Sequence, residues 1–159
     1  MQKVKSCGVI VMRFSTGEAT RKHNLSNVES PSNLSFLLMH KPKRYDLPKG
    51  HMEHNEDELG CALRELREET GILASDLDID TNFRFVDTYK ACYQRFGRKV
   101  VEKNVIIFLG WLKHEVNIKL TEHSGYTWVD WNPPHVIQTR TINPLLRELE
   151  LYLNSNFGL

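Results

Sequence analysis

The segment from Gly50 to Ile72 constrains this chain most, because it combines helix-boundary residues with an apolar stripe. Asn55 is the predicted N-cap, and Glu58 three residues later completes a capping-box pattern. Gly71 is the predicted C-terminal stop. The apolar side chains recur at helical spacing and predict one buried face, formed by Leu59, Ala62, Leu63 and Leu66. The segment therefore predicts an amphipathic helix.

The rest of the chain alternates strand patterns with turn residues. Strands are predicted over Val4–Phe14, Leu34–His40, Phe83–Tyr93, Val100–Leu112 and Thr127–Trp131. Gln94–Arg98 supplies a hairpin turn, Lys41–Gly50 predicts a basic loop, and Ser15–Asn33 predicts a long polar loop that is a surface insertion or functional. A second amphipathic helix is predicted over Asn143–Leu153. Strands mixed with two helices predict an α/β or α+β fold, in one domain over residues 1–159.

Composition excludes some classes of partner. The formal net charge is +1, so the chain has no overall attraction to nucleic acid or membrane surfaces, and a charged ligand must be recognised by local charge. Cys7, Cys61 and Cys92 show no disulfide or metal-site spacing, which favours free thiols, and Cys7 and Cys92 are predicted to lie in the core. No signal peptide or membrane-spanning run is recognised. We expect a cytoplasmic protein with no DNA or membrane partner; its oligomeric state is open, with a monomer favoured.

Three glutamates of the predicted helix form a candidate metal site. At about 100° per residue, Glu65, Glu68 and Glu69 share an arc of about 100° beside the apolar face. Like charges at i,i+4 destabilise a helix in water, so a sequence that keeps them predicts a bound cation. Clustered oxygen ligands suit Mg²⁺ or Mn²⁺ better than Zn²⁺. The alternative is an acidic helix face that is simply solvated.

The residues around these glutamates form a longer pattern, Gly50-x5-Glu56-x7-Arg64-Glu65-Leu66-x-Glu68-Glu69-x-Gly71-Ile72. It resembles the Nudix box at every defined position, and a chance match of the seven fixed identities is on the order of one in a billion per window. The chain is therefore identified as a member of the Nudix hydrolase family. The resemblance implies the α/β Nudix fold, a mixed β-sheet sandwiched between helices (α/β/α). It also implies metal-assisted attack of water on the phosphorus of a nucleoside polyphosphate.

Motif position assigns roles within the box. The resemblance implies that Glu65, Glu68 and Glu69 are metal ligands, and the carbonyl of Gly50 can also face a metal. The general base is Glu65 or a carboxylate outside the box. Arg64 either orients Glu65 or forms a structural ion pair with Glu56.

The flanking segments indicate a subfamily. Leu47–His51, Cys7–Ile10 and Glu122–Trp128 are similar to segments of the asymmetrically cleaving diadenosine tetraphosphate hydrolases. The resemblance implies hydrolysis of diadenosine tetraphosphate to ATP and AMP, with Glu122 as a further metal ligand or base. It also implies phosphate contacts and an adenine-stacking ring, supplied by Lys49, His51, Lys103 and Tyr126. Other substrates stay open: a nucleoside triphosphate, ADP-ribose, a diphosphoinositol phosphate or capped RNA, or a module that senses nucleotides without cleaving them.

Several of these roles have a plainer alternative. Tyr126 can instead be a core or rim aromatic. Two basic groups can contact a polyphosphate or remain solvated: Arg95, Arg98 and Lys99 near the hairpin turn, and Lys41, Lys43 and Arg44 in the basic loop. One departure concerns the second aromatic that those hydrolases often carry, because this chain has Ile107 there, followed by Phe108.

Overall fold

Seven strands form one mixed sheet in the computed structural model, which describes residues 1–15 and 33–159 of the chain. They are β1 (Lys3–Phe14), β2 (Leu34–Lys41), β3 (Arg44–Asp46), β4 (Lys49–His51), β5 (Leu77–Cys92), β6 (Val100–Leu112) and β7 (Gly125–Asp130). The order is β3-β2-β1-β6-β5, with β4 also paired to β1 and β7 to β2. The β1–β6 pair is parallel and the other pairs are antiparallel.

Two helices cover the two faces of this sheet, α1 (Glu58–Thr70) and α2 (Ile142–Phe157). Helix α1 packs on one core through Cys61, Ala62 and Leu66, with Leu59 and Leu63 partly buried beside them. Helix α2 closes the other core through apolar residues at helical spacing: Ile142, Leu145, Leu146, Leu149 and Leu153. The predicted α/β/α sandwich is therefore confirmed.

The start of α1 differs from the prediction. Asp57 is the N-cap, because its side chain accepts the backbone N–H of Gly60 at 2.6 Å. Asn55 lies outside the helix in a left-handed conformation with φ of 67°. Glu58 does not close a capping box, since its carboxylate pairs with Lys5 and Arg84. The C-terminal stop at Gly71 is confirmed, with φ of 79° and a backbone N–H that donates to the carbonyl of Arg67.

Three further predictions are corrected or extended. The segment Lys41–Gly50 is more than a loop, since it contains β3 and most of β4, each paired to a longer strand. Strand β5 begins at Leu77 instead of Phe83, and a register shift between Asp80 and Arg84 interrupts its alternation. Cys92 is exposed at the end of β5, whereas the sequence placed it in the core. The long polar loop falls almost entirely on residues 16–32, outside the described residues.

The divergence of two neighbouring strands positions the site. Strand β1 pairs with β2 only over Met12–Phe14, and its earlier residues Ser6–Gly8 pair with β4 instead. The sheet therefore opens between β1 and β2, and β3 and β4 border this opening. Among the described residues, neither helix is long and apolar enough to span a bilayer.

Candidate active site

Two glycines bring the β3–β4 segment against its neighbours. A Cβ atom on Gly50 would lie 2.2 Å from the carboxyl carbon of Glu65, so a larger residue there would displace the Glu65 carboxylate. A Cβ atom on Gly8 would lie 2.4 Å from the backbone carbonyl oxygen of Pro48, so β1 requires glycine at this close approach. These contacts fix the backbone of Lys49 and Gly50 directly beside the helix glutamates.

Arg64 organises the glutamates of α1. Its guanidinium donates to Glu56, to Glu65 at 3.0 Å and to Glu68 at 3.1 Å. It also donates to the carbonyl of His51 at 3.1 Å. The hydrogen bond from Arg64 lowers the pKa of Glu56 to about 2. Both roles that the sequence left open for Arg64 are therefore present, because it pairs with Glu56 and also orients Glu65.

Glu69 is buried, with 3% of its surface exposed. Its carboxylate accepts the backbone N–H of Lys49 at 3.1 Å. Burial, opposed by the hydrogen bond from Lys49 and aided by the nearby carboxylates of Glu122, Glu65 and Asp46, raises the pKa of Glu69 to about 8. Burial also raises the pKa of Glu65, and Glu68 and Glu122 contribute to this shift. The carboxylates are therefore close enough to repel one another.

The carboxylates of Glu65, Glu68 and Glu69 are oxygen donors, which fit a divalent cation by their chemistry. These side chains do not surround a common point. In the described part of the chain, no three His, Cys, Asp or Glu side chains are arranged to hold a metal. Arg64 holds Glu65 and Glu68, and the carbonyl of Gly50 accepts the thiol of Cys61 at 3.4 Å. The mutual repulsion and the burial of Glu69 nevertheless favour a bound cation, because a buried carboxylate is stabilised by opposite charge.

A cavity of about 840 Å³ lies beside these carboxylates, which is large enough for a nucleotide ligand. Gly50, Glu69 and Glu122 line one part of it. Much of the remaining wall is basic, with Lys41, Lys43, Arg44, Lys49, Lys90, Lys103 and Arg140. The cavity therefore combines clustered carboxylates with an excess of cations, an arrangement suited to a phosphate chain and a metal ion.

Residues 28–148 match the family model of the NUDIX domain. This chain belongs to the Nudix family. It is 34% identical over 131 residues to the asymmetrical bis(5′-nucleosyl)-tetraphosphatase of Mus musculus, covering 79% of this chain and 78% of that one. The enzyme of the same name from Sus scrofa is 29% identical over 158 residues, covering 96% and 97%. The crystal structure of a C. elegans Ap4A hydrolase binary complex superposes with a TM-score of 0.73 and 25% identity, covering 96% and 98%. The chain is a Nudix hydrolase, and its box residues are those described above.

Four of the residues that the resemblance assigned outside the helix line the cavity: Lys49, His51, Lys103 and Glu122. Lys103 is 7% exposed, and its ammonium donates to the hydroxyl of Tyr93 at 2.8 Å. Burial, together with the neighbouring cations Lys49, Arg44 and Lys41, lowers the pKa of Lys103 to about 8. Its hydroxyl partner does not neutralise it.

Tyr126 is not brought to this cavity. It pairs with Met39 across β7 and β2 and is 41% exposed, and it is absent from the cavity wall. Ile107 and Phe108, which stand at the position of the relatives' second aromatic, are buried in opposite cores. Neither proposed location supplies a ring to the cavity.

The aromatic rings in the cavity wall are Tyr89 and Tyr93, which the sequence analysis did not assign. The edge of the His51 ring meets Tyr93 with a centroid distance of 5.6 Å, and the guanidinium of Arg140 lies 4.6 Å from the centroid of Tyr89. The alternation of the strand could have predicted this placement, because every second residue from Phe85 to Tyr93 lies on one face, and Tyr89 is among them.

A buried Asp–His pair was also missed. Asp46 accepts from Lys49 at 3.1 Å and from Nε2 of His123 at 3.0 Å. Burial opposes the ionisation of Asp46, but these hydrogen bonds outweigh it and hold the pKa of Asp46 well below its usual range. Nδ1 of His123 lies 4.0 Å from Glu69. The sequence did contain a signal for this pair, because Asp46 is an acidic residue within the basic run Lys41–Lys49.

Proposed function

We propose that this Nudix hydrolase cleaves diadenosine tetraphosphate to ATP and AMP with the help of Mg²⁺ or Mn²⁺. The position of Lys103 carries the proposal. Its buried ammonium has no carboxylate within 4.0 Å in the described part of the chain, yet it shares a cavity with the buried carboxylate of Glu69. Buried charges are stable only when they are paired, so a phosphate chain and a divalent cation would complement both groups. The similarity to the mouse tetraphosphatase and the C. elegans Ap4A hydrolase supports a dinucleoside tetraphosphate.

The cation would be held by carboxylates from α1 and from the segment before β7: Glu65, Glu68, Glu69 and Glu122. A bound divalent cation neutralises developing charge on phosphate oxygens and lowers the pKa of bound water. Arg64 would restrict Glu65 and Glu68, since Glu56 and the carbonyl of His51 anchor its guanidinium. We propose the carbonyl of Gly50 as a further ligand because β4 brings Gly50 against the carboxylate of Glu65.

The phosphate chain would bind along Lys49, His51 and Lys103, all of which line the cavity. Asp46 holds the ammonium of Lys49 at 3.1 Å, which restricts that side chain before substrate arrives. The base that takes a proton from the attacking water is Glu65 or Glu122. Burial raises the pKa of Glu65, which makes its carboxylate a stronger proton acceptor and supports it as the base.

The test is product analysis with a panel of nucleotides. The protein is incubated with Mg²⁺ and, separately, diadenosine tetraphosphate, ATP, ADP-ribose, a diphosphoinositol phosphate and capped RNA, and products are resolved by ion exchange. We expect fastest turnover of diadenosine tetraphosphate, with ATP and AMP in equal amounts and ¹⁸O from labelled water in one of them. Faster cleavage of another panel member would replace the substrate, and tight binding without turnover would favour a nucleotide sensor.

We further propose that the protein acts in the cytoplasm. The free state of its three cysteines supports a reducing compartment. Fractionation of cells that express the tagged chain, with marker proteins for each compartment, tests this location.

A further inference from the structure

A second group of cations borders the cavity apart from the carboxylates. Arg44, from β3, and Arg140, which precedes α2, line both the main cavity and a small adjoining recess. None of the proposed metal ligands lines this recess, so its cations lie apart from the carboxylates.

These cations have no acidic partner that would neutralise them. Within residues 1–15 and 33–159, no carboxylate lies within 4.0 Å of the charged groups of Lys43, Arg44 or Arg140. Asp46, which also lines the recess, already pairs with Lys41, Lys49 and His123. Arg44 also contributes to the lowered pKa of Lys103. The basic wall thus carries a surplus of positive charge that an anion would relieve.

Hydrogen bonds hold the two arginine-bearing segments together. The backbone N–H of Tyr45, next to Arg44, donates to Oε1 of Gln138 at 2.9 Å. The side chain of Asn143 accepts from the backbone of Ile137 and Gln138 at 2.8 and 3.0 Å. The two guanidinium groups are therefore presented by fixed backbones, which reduces the entropy lost when they bind a ligand.

We propose that Arg44 and Arg140, with Lys43, form an anion subsite that lets this cavity also accept a nucleotide ending in a phosphate monoester, such as adenosine 5′-tetraphosphate, besides diadenosine tetraphosphate. The inference rests on the proposed hydrolysis of nucleoside polyphosphates in this same cavity. Guanidinium groups match phosphate oxygens in a bidentate geometry, whereas a nucleoside brings no charge to neutralise them. Arg140 also covers a face of Tyr89, so a base would have to displace it to stack there.

Two substrates with the same number of phosphates test the subsite. Adenosine 5′-tetraphosphate ends in a phosphate monoester, and diadenosine tetraphosphate ends in a nucleoside. We expect the double variant Arg44→Gln, Arg140→Gln to raise KM for the former by about tenfold or more, the loss expected for charge-assisted hydrogen bonds. KM for diadenosine tetraphosphate and kcat for both substrates should change by no more than about threefold. Equal effects on both substrates, or no effect on either, would overturn the proposal.

A binding measurement tests whether the proposed anion subsite exists, independently of catalysis. Inorganic tripolyphosphate is titrated by calorimetry in the presence of EDTA, with Arg147→Gln as a control that removes an exposed cation of α2 outside the cavity wall. We expect the double variant to bind about tenfold more weakly than the control. Unchanged affinity would overturn the proposed subsite. If circular dichroism shows that the double variant is unfolded, the single variant Lys43→Gln gives a second test. If the wild type cleaves neither nucleotide, the proposed function fails while the titration still decides the subsite.

Discussion

Replacing Glu69 by glutamine is expected to stabilise the metal-free protein, by an amount that grows as the pH rises. Burial raises the pKa of Glu69 from 4.5 to about 8. Between these two values the folded protein retains a proton that the unfolded chain has released. Wild-type stability therefore falls as the pH rises through this window. Glutamine carries no charge, yet its side-chain oxygen can still accept the N–H of Lys49, which now lies 3.1 Å from the carboxylate.

The size of the effect follows from the same two pKa values of Glu69. Relative to a carboxyl group whose pKa does not change on folding, the raised pKa lowers the free energy of unfolding by about 1 kcal/mol at pH 5, about 3 kcal/mol at pH 7 and about 5 kcal/mol at pH 9. The variant avoids this cost, so it should exceed the wild type in free energy of unfolding by similar amounts. A divalent cation held by Glu69 would stabilise the charged form, so saturating Mg²⁺ should reduce the difference at pH 9.

Urea denaturation followed by tryptophan fluorescence measures these free energies in EDTA at pH 5, 7 and 9. Glu68→Gln is the matched control, because it makes the same chemical change on the same helix at a side chain that is 52% exposed. Water screens that charge, so we expect the control to follow the wild type at every pH. A Glu69→Gln protein that is no more stable than the wild type at pH 9, or a difference that is constant across pH, would refute the reasoning.

Three other predictions concern catalysis and substrate binding. Glu68→Gln should lower kcat by about a hundredfold or more while circular dichroism stays unchanged, because a lost ligand removes cation charge at the transition state; wild-type turnover would remove Glu68 from the metal site. Lys103→Met should raise KM and also raise the free energy of unfolding at pH 7 by up to about 3 kcal/mol, because the lowered pKa of Lys103, about 8 against 10.5, makes its charged form unfavourable below that pH. A loss of stability in urea denaturation would contradict this. Tyr126→Ala should leave KM for diadenosine tetraphosphate within about twofold, whereas Tyr93→Ala should raise it severalfold, since Tyr93 borders the cavity and Tyr126 does not; the reverse order in steady-state kinetics would restore the role first expected of Tyr126.

Local periodicity was sufficient to predict the carboxylate cluster. Glu65, Glu68 and Glu69 lie on one continuous helix, so their relative directions follow from residue spacing alone. Gly50 precedes that helix by only a few residues and meets Glu65 directly. The central strands were equally accessible, because the run Val100–Leu112 forms β6 with the predicted bounds.

The first residue of helix α1 could not be predicted from local periodicity. Asn55 and Asp57 are both good capping residues, and the choice between them depends on tertiary contacts. The carboxylate of Glu58 pairs with Lys5 of β1 and Arg84 of β5, so it does not form a capping box. Glu56 is likewise held by Arg64. A sequence pattern does not contain these competing partners.

The substrate-binding wall was the least predictable part because its residues come together only through the sheet. Arg44 lies on an edge strand, Lys103 on a central strand and Arg140 before the last helix, so no local pattern relates them. Tyr126 shows the opposite case. Its position matches the motif that predicted an adenine-stacking ring, yet its ring does not line the cavity. Two proteins can therefore share the carboxylates of a Nudix box and differ in substrate, because the cations that read the ligand lie on elements outside the box. Substitutions at Arg44 and Arg140 should change which nucleotide is preferred, whereas substitutions at Glu68 should slow the cleavage of all of them.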